Sequence, residues 1–257
     1  MDFISAIILG AIEGLTEFLP ISSTGHMILA SHLMKLPVTT FQSTFEISIQ
    51  LGAILAVVWL FWRKLFLNRD TFQKVVVAFL PTTIIGFALY KIFKSFLAGN
   101  TAVTIGALFI GGIFLIWFEK YYQKRGVGEL AEENISYRQA AWLGVCQSLA
   151  IVPGVSRSAA TIIGGLAMKI KREAIVEFSF LLAIPTMAAA TAYDLYKSAP
   201  TFSGNQFELI GVGFVVSFLV ALVAVKFLIH YIQKNDFTAF GWYRIIIAIL
   251  AYLIFFY

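Results

Sequence analysis

Between Glu13 and His26 the chain reads EGLTEFLPISSTGH, placing two carboxylates, adjacent serines, a threonine and a histidine within fourteen residues. Glu13 and Glu17 are four apart and share one face of a helix. Two carboxylates so placed repel, and burial disfavours both charges. They persist with a shared cation, a shared proton or a nearby arginine. Spacing leaves the choice open between a hard divalent cation carried with a phosphate, Mg²⁺ or Ca²⁺, and a protonated pair lining a transport path. Ser22, Ser23 and Thr24 follow Pro20 at the start of a helical stretch, where one hydroxyl is explained by N-capping. His26 lies three residues beyond Ser23, one turn away, and a Ser–His pair is the minimum arrangement for an activated nucleophile.

A second polar knot, PGVSRSAAT, runs from Pro153 to Thr161. Arg157 is costly inside a membrane and needs an anionic partner. Its planar guanidinium suits bidentate phosphate binding, although a salt bridge to Glu13 or Glu17 is an equally simple partner. Gly154 lets the turn form, and Ser156, Ser158 and Thr161 offer donors at a helix N-terminus, where free N–H groups and the dipole favour anions. Glu46 and Gln50, again four apart, and Glu177 in the similar place of the second half either support the site or join helices.

The elements that must position these knots follow from composition. The 257 residues are 60% hydrophobic and 13% charged, with a mean hydropathy of +0.86, against about 45–50% apolar and 25% charged in soluble domains. The chain must bury apolar surface in lipid, which excludes a soluble regulator or a nucleic-acid binder. The net charge of +5 fits cationic loops facing an anionic inner leaflet. Cys146 stands alone, so no intrachain disulfide or thiolate cluster forms. MDFISAIILG has neither a basic n-region nor a small-residue cleavage site, so a cleavable signal peptide is not expected.

Apolar stretches at 3–19 and 21–34, broken by Pro20, are too short to span. Full-length spans follow at about 45–62, 75–93 and 102–118. The pattern then repeats, with short stretches at 139–152 and 158–168 broken by Pro153, and spans at about 177–195, 209–229 and 242–257. An offset of 133 aligns Pro20 with Pro153, Ser23 with Ser156 and Phe45 with Phe178. Four loops (Arg63, Lys64, Arg69, Lys74; Lys120, Lys124, Arg125, Arg138; Lys169, Lys171, Arg172; Lys226, Lys234) carry 13 basic residues against 4 elsewhere (Lys35, Lys91, Lys94, Lys197), which makes the rich loops cytoplasmic. That assignment closes only if both short pairs turn back.

The expected fold is therefore an all-α polytopic integral membrane protein of two inverted-topology repeats. Each repeat is a re-entrant helical hairpin plus three transmembrane helices, and the two tips meet near mid-membrane. The single membrane domain divides into repeats at about 1–118 and 139–257 with a cytoplasmic linker at 119–138. Trp59, Trp62, Trp117, Tyr121, Tyr122, Trp242, Tyr243 and Tyr257 read as an interfacial belt without chemistry, and Arg244 as a snorkelling side chain near the inner face.

EGLTEFLPISSTGH and PGVSRSAAT resemble the two defining motifs of the bacterial undecaprenyl-diphosphatase family, the bacitracin-resistance proteins. FEISIQLGAILAVV (45–58), EFSFLLAIPTMAAATAYDLYK (177–197) and the WYR around Tyr243 are similar to further family blocks. The resemblance implies hydrolysis of undecaprenyl diphosphate to undecaprenyl phosphate and inorganic phosphate, recycling the carrier lipid of peptidoglycan synthesis. It implies essential roles for Glu17, Ser23, His26 and Arg157, with Glu13, Ser22, Ser156, Ser158 and Thr161 in support and Thr24 and Gly154 at the substrate. It also implies a divalent cation and a bacterial inner-membrane site open to the outer face. The rival class is a transporter or lipid flippase, which the repeat architecture alone would favour; moving a substrate does not require serine and histidine beside arginine and paired carboxylates. The oligomeric state, a homodimer included, is open.

Overall fold

Two short helices followed by three long ones occur twice along the chain. The computed structural model describes residues 1–37, 39–96, 100–124, 133–198 and 204–257; Arg125 and the side chains of Lys91, Lys94 and Lys197, used in the loop-charge argument, lie outside the described residues. The helices are α1 (Phe3–Thr16), α2 (Ser23–Leu33), α3 (Thr40–Phe66), α4 (Arg69–Phe96), α5 (Thr101–Lys124), α6 (Tyr137–Ser148), α7 (Arg157–Ala167), α8 (Arg172–Ser198), α9 (Gly204–Ile232) and α10 (Thr238–Phe256). Among the described residues six are long and apolar enough to cross a bilayer, namely α3, α4, α5, α8, α9 and α10. The protein is an all-α, multi-pass membrane protein. Its apolar exterior fits lipid contact: Phe87 and Trp59 are 83% and 71% exposed.

The four remaining helices are 14, 11, 12 and 11 residues long, about 16–21 Å at 1.5 Å per residue, short of a ~30 Å hydrocarbon core. Asp2 caps α1 through the Ser5 amide, and Ser136 and Gln139 form a capping box on α6. Turns after Thr16, and a 3-10 turn at Leu149–Ile151, bring the chain to Pro20 and Pro153, each ahead of the next short helix.

Packing brings the two knots together. α1 lies along α9, and in the corresponding place α6 lies along α4; α3 packs on α8, and α5 on α10. α1 reaches α9 through small residues, since a Cβ on Gly10 would meet the Gly213 carbonyl and one on Gly14 the Ser217 carbonyl. Close small-residue contacts of this kind are how helices associate where lipid offers no hydrophobic drive. Glu13, between those two glycines, is thereby held inside the protein, fully buried.

At the end of the bundle formed by the α5 C-terminus and the α8 N-terminus another carboxyl is buried. Glu119, fully buried, accepts from both Arg172 terminal nitrogens at 2.5 and 2.9 Å and from the Phe237 amide at 3.2 Å, tying α5, α8 and the start of α10. Nearby, Lys171 donates to Glu133 at 2.8 Å, which lowers the Glu133 carboxyl and raises the Lys171 amine. Glu119→Ala leaves Arg172 without its carboxylate and is expected to cost about 3–5 kcal/mol. The check is a lower unfolding temperature in detergent with unchanged turnover per folded molecule.

Candidate active site

Glu17 is the residue on which the site converges. It sits just past the end of α1, one turn after Glu13, at the negative pole of the helix dipole, so its charge needs donors from elsewhere. Ser23 Oγ, at the first position of α2, donates to Glu17 Oε2 at 2.5 Å. Arg157 Nη2, at the first position of α7, donates to Glu17 Oε1 at 3.3 Å. The arginine is held in turn by the Ser179 carbonyl at 2.9 Å from Nη1 and rests over the Phe18 ring at 5.9 Å. Among the described residues its Nε has no hydrogen-bond partner. Carboxylate, hydroxyl and guanidinium from the two sequence knots thus form one continuous chain.

These groups face a cavity of about 150 Å³ lined by Glu17, Ser22, Ser23, Thr24, Gln50, Ser156 and Arg157, with Gly154, Ala150, Val152 and Met187 completing the wall. Thr24 is the exposed member of the 22–24 run. Ser22 and Ser156 precede α2 and α7 with φ of 69° and 74°, a left-handed region that costs a non-glycine residue about 1–3 kcal/mol. Ser156 caps α7 through the Ala159 amide at 3.3 Å, whereas the Ser22 side chain makes no cap bond. The expected N-cap role in the 22–24 run is therefore not taken by the residue at the cap position. Ser22 lines the cavity, and α2 presents a helix N-terminus there without a side-chain cap from that residue.

Several residues lie elsewhere than their spacing suggested. His26 does not reach Ser23. Its Nδ1 donates to the Ser22 carbonyl at 2.8 Å and its Nε2 meets Tyr243 Oη at 2.9 Å, with the two rings stacked at 5.5 Å. The i, i+3 spacing was right for a shared face, but Ser23, at the helix start, points back to Glu17 while the imidazole bonds one turn behind itself. Ser158 donates to the Leu19 carbonyl at 2.9 Å and Thr161 to the Arg157 carbonyl at 2.8 Å; both hydroxyls lock backbone and neither lines the cavity. Glu13 does not line the cavity; it stands buried beside Glu17, and among the described residues no hydrogen-bond donor meets its carboxylate oxygens. Glu46 accepts from Ser31 and Gln42 at 3.1 and 2.9 Å, gluing α2 to α3. Glu177 pairs with Lys64 at 2.7 Å, away from the cavity. Gln50 alone of that supporting group lines it.

Two further side chains have roles that the sequence pattern does not show. Tyr243, taken for the aromatic belt, is the partner of His26, and Tyr122 of that belt is buried in the core. Arg244, taken for a snorkelling side chain, is 1% exposed and bonds only backbone carbonyls. The signal was present, because the cost argument applied to Arg157 applies equally to an arginine inside an apolar helix. Gly154 is needed where it stands, at φ 94° with the Thr104 carbonyl against any added Cβ. Gly154→Ala is expected to cost about 1–3 kcal/mol, read as a lower unfolding temperature and a slower turnover.

Oxygen donors at the wall suit a hard cation: Glu17, Gln50 and the hydroxyls of Ser22, Ser23 and Thr24 could share it with phosphate oxygens. The paired Glu13–Glu17 ligand set expected from spacing is not presented to the cavity, since Glu13 does not line it. Among the described residues no group of three or more His, Cys, Asp or Glu stands close enough to cage a metal.

A buried serine on a carboxylate, an arginine on the same carboxylate and a helix N-terminus without a side-chain cap meet at one cavity inside a multi-pass helical membrane protein. The family model for bacitracin resistance protein BacA matches residues 6–250. The undecaprenyl-diphosphatase of Aquifex aeolicus is 48% identical over 252 residues, 98% of this chain and 97% of that protein. That of Campylobacter jejuni serotype O:2 is 46% identical over 258 residues, 100% and 96% of the two chains. The chain belongs to the BacA family.

Proposed function

We propose that this protein is an undecaprenyl-diphosphate phosphatase, releasing undecaprenyl phosphate and inorganic phosphate and thereby supporting peptidoglycan synthesis and bacitracin resistance. The observation that carries the reading is the Ser23–Glu17–Arg157 chain on the cavity wall. Phosphoryl transfer asks mainly for positioning and charge neutralisation. Arg157 and the α2 N-terminus neutralise the diphosphate, and Ser23 Oγ is aimed by Glu17. The serine oxygen forms a bond to the terminal phosphorus as its proton passes to Glu17. The bond from that phosphorus to the bridging oxygen breaks, and undecaprenyl phosphate leaves. Water then attacks the phosphorus of the seryl phosphate, the bond to Ser23 Oγ breaks as Glu17 returns its proton to that oxygen, and inorganic phosphate leaves with the hydroxyl restored. Glu17 thus takes the activating part that spacing had offered to His26, which instead orders the 22–26 turn against Tyr243. A bound divalent cation adds charge neutralisation at the phosphate oxygens.

At about 150 Å³ the cavity is smaller than the ~300–1,000 Å³ that encloses a whole ligand. It takes the headgroup and leaves the polyprenyl chain in the bilayer. The inverted repeat is supported by the matched packing of α1 on α9 and α6 on α4. It is supported too by left-handed residues at Ser22 and Ser156 and at Lys35 and Lys169, each pair 134 residues apart. That offset exceeds the proline-based one by a residue because Pro153 stands one place further from its helix than Pro20 does. With the basic loops inside, the first hairpin enters the bacterial inner membrane from the outer face, where the site opens. Phosphate release from a polyprenyl diphosphate in detergent, with and without a chelator, tests the function. Cation-dependent release is expected; none from the wild type refutes the phosphatase and leaves transport as the reading.

A further inference from the structure

Resting on the phosphatase reading, we infer that Arg244 is the positioning residue that sets the distance between the two hairpin loops and so aligns Ser23 with Arg157. A guanidinium has five N–H groups, and here all five are used. Nε donates to Leu108 O at 3.4 Å; Nη1 to Pro20 O at 3.3 Å and Val155 O at 3.0 Å; Nη2 to Ala107 O at 3.2 Å and Gly154 O at 2.9 Å. Pro20 belongs to the loop that ends at Ser23, and Gly154 and Val155 to the loop that ends at Arg157, while Ala107 and Leu108 anchor the assembly to α5. One rigid plane therefore spans both loops and a membrane helix, and a slide of either loop breaks a bond.

Packing alone does not account for an arginine. It is 1% exposed, and among the described residues it forms no salt bridge. Taking such a charge out of water costs several kcal/mol, and well-packed apolar side chains serve stability as well or better. What an apolar residue cannot do is bond carbonyls from three segments at once. Lysine offers three donors on a point charge and cannot reproduce the fork. Gly111 makes room for it, since a Cβ there would press on the guanidinium; Gly111→Ala thus displaces Arg244 without removing its charge.

The test compares wild type, Arg244→Lys and Gly111→Ala for phosphate release from polyprenyl diphosphate and for thermal unfolding in the same detergent. Misplacement by about 1 Å is expected to lower kcat about 100-fold in Arg244→Lys and about 10-fold in Gly111→Ala, with KM changed less than about threefold and the protein folded. A purely structural residue would lower activity only in step with the folded fraction. That result, or full kcat in Arg244→Lys, overturns the inference. Should Arg244→Lys not fold, Gly111→Ala decides by the same readouts. A wild type without any release refutes the phosphatase reading instead.

Discussion

Ser23→Ala is expected to lower kcat by about 10³-fold or more, the scale on which enzymes lose turnover when the nucleophile itself is removed, while the unfolding temperature stays near that of the wild type. Only one side-chain bond is lost, the 2.5 Å contact to Glu17 Oε2, and Arg157 still holds the other oxygen. Glu17→Gln should fall by a similar factor for the complementary reason: an amide preserves the shape and can still accept from Ser23 but cannot take its proton. The measurement is single-turnover phosphate release with a search for phosphate bound to Ser23. Substantial residual turnover in Ser23→Ala would rule out an obligatory seryl phosphate and assign attack to water.

Much of this site was legible because hydropathy makes every buried polar group expensive. Glu17, Ser23 and Arg157 stood out against their apolar surroundings, and the structure brings those three together. The six spans emerged at nearly their observed places, each longer in the structure by a few residues at most ends, because helices continue past the apolar window into the interface. Side-chain direction was the illegible part. Ser22, Ser23 and Thr24 differ little as residue types and all line the cavity, yet Ser22 stands at a left-handed φ before the helix and it is the Ser23 hydroxyl that bonds Glu17. Ser158 and Thr161 could have faced the ligand; their bonds to carbonyls depend on where Leu19 lies and on a local back-bond. The partners of His26 and Arg244 lie in distant segments, at Tyr243 for the first and at Pro20, Ala107 and Val155 for the second. No local pattern encodes such contacts. The sequence shows that a buried arginine must have acceptors, and only the fold says which.

Arg157 carries the other large effect, and substitution there acts on stability and turnover in separable ways. Arg157→Ala removes the cation from a pair whose side chains are 12% and 6% exposed, leaving Glu17 buried with Ser23 as its remaining donor. Breaking a buried pair from one side costs about 3–5 kcal/mol of stability, and losing the fork that neutralises the diphosphate should cost about 10²–10³-fold in kcat. Arg157→Lys keeps the charge but cannot bond Glu17 and the Ser179 carbonyl in the same plane, so most of the turnover loss should remain. The double variant Glu17→Gln/Arg157→Ala separates the two effects. With no orphaned carboxylate left, its unfolding temperature should lie above that of Arg157→Ala, the non-additivity expected of residues in contact, while phosphate release stays lost. Recovery of activity together with stability would mean that Arg157 serves only to balance Glu17, and diphosphate binding would then have to rest on the α2 N-terminus and a bound cation.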